Sequence, residues 1–255
     1  MTPPQNATVT FTHYPDVQPF TMPDHLRFLS AAPPDLTSDR YTTDFNEVKA
    51  IGSATSTSRT AEQTSIAQRW AAVNTTTQFQ FVWNDLIGDV AQRLNLSAVA
   101  AARAYALMSM NMHDGLEISF TGKFLYGLWR PVTAVREAER DGNPNTAGDP
   151  NWLPLLPATP PYPSYPGNMT CMGAVASRTM QRLAGRDDVG FSLTWVGTAG
   201  NANITRSYNG FRELANEQAR SRVYGGIHFE FDQQASFGQC IPLADYAWDN
   251  YMRAR

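Results

Sequence analysis

The stretch from Ser97 to Phe120 constrains the fold most. Ser97 is a preferred helix N-cap, and an alanine-rich run, Ala98 to Ala102 broken only by Val99, follows it. Ala104, Leu107, Met108 and Asn111 then recur at spacings of three or four. That period places them on one helical face, and its small residues let a neighbouring helix approach closely. Just upstream, Phe79, Phe81, Val82, Leu86, Ile87, Val90 and Leu94 repeat at helical spacing, and Asn95 ends the run. Two such segments in succession predict an all-α helical bundle.

The remaining pattern fits that expectation. Helices are predicted over residues 62–72, from Pro131 through Glu139, over 169–183, and from an Asn209 or Gly210 cap to Tyr224. After Gly225-Gly226 another helix is expected to Tyr251, interrupted near Pro242. Residues 191–196 form the one candidate strand. Residues 1–60 are rich in Pro, Thr, Ser and Asp and are read as an extended arm. Its Phe11, Tyr14, Phe20 and Phe28 are expected to lie on the main body, which spans residues 61–255. Between Asp141 and Pro166 runs a long proline-rich loop with Trp152, Tyr162 and Tyr165 available for packing; loops of this length inside a domain usually serve function.

Composition removes several function classes. The 20 Lys and Arg are scattered and net charge is −3, so nucleic acid is not an expected partner. No apolar run approaches the length of a membrane span, and no apolar leader follows Met1, so the cytoplasm is the default compartment. Two cysteines, Cys171 and Cys240, are too few for a disulfide framework. A small-molecule substrate is expected, and a homodimer is allowed.

Chemistry concentrates between Ser221 and Asp232. Asp232 follows His228 by four residues, so on a helix it shares a face and can accept from one ring nitrogen. The other nitrogen is then free to attack or ligate. Arg222, six residues before His228, supplies a planar, permanently charged fork suited to an oxyanion. Lys123 and Arg130 form a second cationic pair. Seven residues is two helical turns, so both can point one way, and a shared anion would explain two like charges among Phe124, Leu125, Tyr126, Leu128 and Trp129.

Lys123-x6-Arg130-Pro131, then the Tyr165-Pro166-Gly167-Asn168 loop, then Ser221-Arg222-x5-His228-x3-Asp232 together resemble the superfamily of vanadium-dependent haloperoxidases and type-2 phosphatidic acid phosphatases. The likeness covers roughly residues 97–251. It implies a helical bundle whose anion site is bound by Lys123, Arg130, Gly167 and Arg222. His228 would ligate vanadium or bond to phosphorus, with Asp232 orienting it.

The middle motif departs from the family pattern of Pro-Ser-Gly-His. Gly167 can stand for the glycine, Asn168 takes the place of the histidine, and the serine hydroxyl has no counterpart unless Thr170 reaches in. In the family that histidine is the general acid/base, and asparagine cannot exchange a proton near neutral pH. The resemblance implies a haloperoxidase-like enzyme with vanadate as its cofactor. The alternatives are a phosphate- or diphosphate-processing enzyme, including prenyl diphosphate ionisation, or a catalytically inactive member. Mg²⁺ would accompany a diphosphate, with Asp114 and Glu117 as its candidate ligands.

Overall fold

The computed structural model describes residues 8–24, 26–76, 79–195 and 203–253, with the side chains of 73–76 and 79–80 left aside. Its helices are α1 (Asp39–Ile51), α2 (Ala61–Thr76), α3 (Phe79–Arg93), α4 (Ala98–Tyr126), α5 (Pro131–Arg136), α6 (Asn168–Ala184), α7 (Phe211–Tyr224) and α8 (Glu230–Asn250). A hairpin of β1 (Phe191–Trp195) and β2 (Ile204–Tyr208) pairs antiparallel, with Phe191 opposite Tyr208. Val196, the expected end of the first strand, lies outside the described residues. The second strand was not foreseen, because its Ile-Thr-Arg-Ser-Tyr run is short and mostly exposed.

Helix α6 is the axis of the bundle. From Met169 to Ser177 every residue is buried, and α4, α7 and α8 enclose it. Small residues make the approach possible: a Cβ on Gly115 of α4 would come within 2.9 Å of Cys171 Sγ. The expected cap roles hold at α4, where Ser97 Oγ accepts from Ala100 N at 3.2 Å. Asn95 stops α3 in a left-handed conformation, φ 49°.

Three expectations need correction. Residues 39–51 are helical, not extended: Ser38 caps α1, and Tyr41, Phe45 and Val48 form a buried stripe at four- and three-residue spacing. That stripe was hidden by the polar residues around it. It builds a second core with Trp152, Tyr165, Phe229 and Phe231. Helix α8 runs unbroken through Pro242. Tertiary packing of Cys240, Leu243 and Ala244 offsets the missing backbone donor. Finally, Cys171 and Cys240 are joined as a buried disulfide between α6 and α8, with Cα atoms 5.4 Å apart. A spacing of 69 residues gives no sequence signal for that pairing.

The arm aromatics do lie on the body. Phe11 and Tyr14 meet Phe120 at 4.9 and 5.2 Å, Phe20 meets His113 at 4.9 Å, and Phe28 meets Tyr246 at 5.6 Å between ring centroids. Asp114 pins the arm, accepting from Phe20 N at 2.8 Å, Thr21 N at 2.6 Å and Thr21 Oγ1 at 2.6 Å. Among the described residues no helix is long and apolar enough to cross a membrane.

Candidate functional site

Lys123 lies in the last turn of α4, and Gly127 stops that helix in the left-handed region, φ 63°. Arg130 is therefore not two turns further along one helix. It is the N-cap residue of α5, with Pro131 in the first helical position. The break in the helix at Gly127, rather than helical spacing, sets their relation, and both are fully buried.

The proline-rich loop wraps around them. Lys123 Nζ donates to the carbonyls of Pro163 at 3.0 Å, Ser164 at 2.7 Å and Pro166 at 2.5 Å. An ammonium has three donors, so all are spent on the loop. Arg130 Nε donates to the Tyr162 carbonyl at 2.9 Å, and Nη1 donates to Ile227 O and to His228 Nε2, each at 2.8 Å.

His228 precedes α8 and Asp232 lies in its first turn. The expected pair forms, His228 Nδ1 to Asp232 Oδ2 at 2.7 Å, though not from two positions within one helix. Because a guanidinium can only donate, Nε2 must accept; the ring proton therefore sits on Nδ1 and is given to Asp232. The same Asp232 oxygen accepts from Ser164 Oγ at 2.6 Å and from Phe229 N at 3.1 Å. Arg222 reaches the cluster from the last turn of α7; it is 7% exposed, and its Nη1 has no partner among the described residues.

The electrostatics follow from burial. Desolvation lowers Lys123 well below the ordinary lysine value, and the charge of Arg130 adds to this while Asp232 opposes it. Arg222 is pushed down to about 10 by burial, with Arg130 contributing and Tyr162 opposing. His228 is driven well below the usual histidine value by burial and then by Arg130, Lys123 and Arg222. Burial raises Asp232 to about 6, against the Ser164 hydrogen bond and the nearby cations. Among the described residues, three cationic side chains thus act on one carboxylate and one neutral imidazole.

Two sequence expectations change here. Gly167 N–H does not stand free for a guest: it donates to the Asp232 carbonyl at 3.1 Å. Packing of α6 against the start of α8 takes this donor. Thr170 does not supply the missing hydroxyl either, because its Oγ1 is committed to Gln233 Oε1. Asn168 opens α6, half-buried, and no described residue hydrogen-bonds its side chain. Counted without a gap from Tyr165-Pro166, the family histidine falls on Met169, which is 5% exposed within the main core. Neither residue can carry a proton.

The expected Mg²⁺ ligands are engaged elsewhere: Asp114 holds the arm, and Glu117 Oε1 accepts from Thr121 Oγ1 at 3.1 Å. Among the described residues no group of three or more acids, histidines or cysteines is placed to hold a metal ion. Tyr162 and Ser164 are site residues that sequence reasoning passed over. Their signal was the loop itself, whose side chains read only as packing.

The family model for the VCPO second helical-bundle domain matches residues 103–255, more than half of the chain. The chain belongs to that family. Vanadium chloroperoxidase of Curvularia inaequalis is 28% identical to it over 194 residues, covering 58% of this chain and 31% of that protein. A bacterial vanadium-dependent iodoperoxidase structure superposes with a TM-score of 0.78 at 24% identity, over 97% of this chain and 59% of that one. An apo-type bacterial vanadium-dependent chloroperoxidase gives 0.71 at 14% identity, over 93% and 55%. The chain spans about a third of the length of the curated relative it matches. The two structures show the shared helical-bundle fold.

Proposed function

We propose that the chain is a vanadium-dependent haloperoxidase-like enzyme whose Arg130, Arg222 and His228 hold vanadate or phosphate. One observation carries this: three buried cationic side chains converge on a neutral histidine with, among the described residues, a single carboxylate opposing them. Burying like charges together is costly unless an anion joins them. The partnerless Nη1 of Arg222 is the donor such an anion would fill. These residues fit a tetrahedral oxyanion, which asks for donors and one imidazole rather than a cluster of carboxylates.

Arg222 would bind through its fork. Arg130 would turn Nη1 from His228 toward the guest, and Lys123 would act through its charge while fixing the loop. His228 Nε2 would be the vanadium ligand, kept neutral and oriented by Asp232. Bound vanadate supplies peroxide activation for halide oxidation. Asn168 contributes no proton, which makes turnover slow; losing a general acid typically costs about 10²- to 10⁴-fold.

That same deficit supports a second reading, a phosphate or diphosphate ester whose leaving group needs no proton. Vanadate titration by calorimetry, with halide–peroxide and phosphate-ester assays on the wild type and on Asn168→His, tests both. The expected result is saturable vanadate binding, with turnover raised by the histidine. Absence of any oxyanion binding overturns the reading.

A further inference from the structure

The middle motif of this chain lacks a serine hydroxyl, yet the site is not without one. The nearby hydroxyls can be taken in turn. Ser164 Oγ donates to Asp232 at 2.6 Å, Thr170 Oγ1 to Gln233, Ser221 Oγ to the Gln218 carbonyl at 2.6 Å, and Ser236 Oγ to Asp232 O and Gly167 O at 2.8 and 2.9 Å. Each is spent inside the scaffold.

Tyr162 is different. Its backbone carbonyl is fixed by Arg130 Nε at 2.9 Å. Its ring is held over the two buried cations, with Lys123 Nζ 5.3 Å and Arg130 Cζ 5.0 Å from the centroid. Phe120 and Phe11 pack against the ring edge-on at 5.1 and 5.9 Å. Burial lowers Arg130 and Arg222, and the nearby Tyr162 phenol opposes that shift at both. A guanidinium can only donate, so the phenol oxygen can only accept from it. The O–H proton is left over, and among the described residues nothing accepts it.

We propose that Tyr162 is an oxyanion-binding residue, its hydroxyl donating to the guest held by Arg130 and Arg222 in place of the serine the middle motif has lost. This inference rests on the oxyanion reading of the site and deepens it. The rigid ring, held by two cations and two aromatic rings, presents the hydroxyl at little entropic cost. No bond beyond a hydrogen bond is formed.

The test is vanadate and inorganic phosphate titration of the full chain by calorimetry, comparing wild type, Tyr162→Phe and Tyr126→Phe. Tyr162→Phe keeps the ring and its contacts and removes one oxygen. A hydrogen bond to a charged group predicts a loss of affinity on the order of tenfold to a hundredfold for both anions. Tyr126, whose hydroxyl donates to the Ser30 carbonyl at 2.7 Å, lies outside the site, and its variant is expected to bind as wild type does. Wild-type affinity in Tyr162→Phe overturns the tyrosine assignment and leaves the oxyanion reading standing. A wild-type chain that takes up neither anion overturns both. An equal loss in both tyrosine variants marks a general effect of hydroxyl removal on the fold and also overturns the assignment.

Discussion

Arg130 Nη1 sits 2.8 Å from His228 Nε2, on the side of the ring opposite Asp232. The imidazole is held between a cation and a carboxylate, and burial first, then the charges of Arg130, Lys123 and Arg222, keep it neutral. His228 therefore stays neutral below the ordinary histidine value, and its stabilising contribution is present above about pH 6.5 and lost as pH falls through the folded value. Asp232 has the opposite sign. Its folded value is raised to about 6, so its contribution is complete below the ordinary aspartate value and lost as pH rises through about 6. Denaturant unfolding across that range separates them. His228→Gln is expected to gain stability on acidification through about pH 6, and Asp232→Asn is expected to lose it as pH falls below about 6.5. Slopes of the same sign in both variants would refute the assignment.

Arg222 carries the clearest division between binding and stability. It is buried, lowered to about 10, and pressed by the charge of Arg130. Arg222→Met keeps the volume and removes the charge. Without oxyanion the variant is expected to be more stable by about 1 kcal/mol, because an unfavourable buried cation is gone. Vanadate affinity should fall by roughly ten- to a hundredfold, the worth of a charge-assisted hydrogen bond. Thermal unfolding with and without vanadate measures both, and a variant that loses stability in the absence of the anion contradicts the electrostatic account.

Asp114 fastens the arm to α4 through three donors from Phe20 and Thr21. Asp114→Ala leaves the Phe20 and Thr21 amides without an acceptor, while Thr21 Oγ1 keeps Asn111 Oδ1 at 3.1 Å, at a cost of about 2–4 kcal/mol concentrated in the arm. Limited proteolysis should then cut before Asp24 while the bundle resists. Hydrogen exchange at the Thr21 amide should rise in parallel. Unchanged protection there would show that the aromatic contacts alone hold the arm.

The Cys171–Cys240 disulfide closes a 69-residue separation between α6 and α8. Loop-closure entropy makes it worth about 4 kcal/mol to the oxidised protein. The Cys171→Ala/Cys240→Ala double variant should show that loss in urea unfolding, and the wild type should fall to the same level under reductant. Two titratable thiols in the denatured, unreduced chain would show that the bond is not made.

The helices were legible because their signals are local. Ser97, Asn95 and Pro131 state where chain segments begin and stop, and the stripes on α3 and α4 repeat within a few turns. Helix α1 was missed because its buried stripe of Tyr41, Phe45 and Val48 is set among polar residues, so its pattern reads weakly without the second core it completes. The His228–Asp232 pair was legible for the same reason that helices are: four residues separate its members.

The sequence by itself determined the bundle, the order of its charged anchors and the pairing of His228 with Asp232, since each depends on neighbours along the chain. Only the tertiary structure decided which donors are already spent within the fold. Lys123 turns its ammonium to the carbonyls of a loop some 40 residues away, Gly167 gives its N–H to Asp232, and Ser164 gives its hydroxyl to the same residue. Hydrogen-bond capacity is finite for every group, and how it is shared depends on contacts between distant segments that no local pattern records.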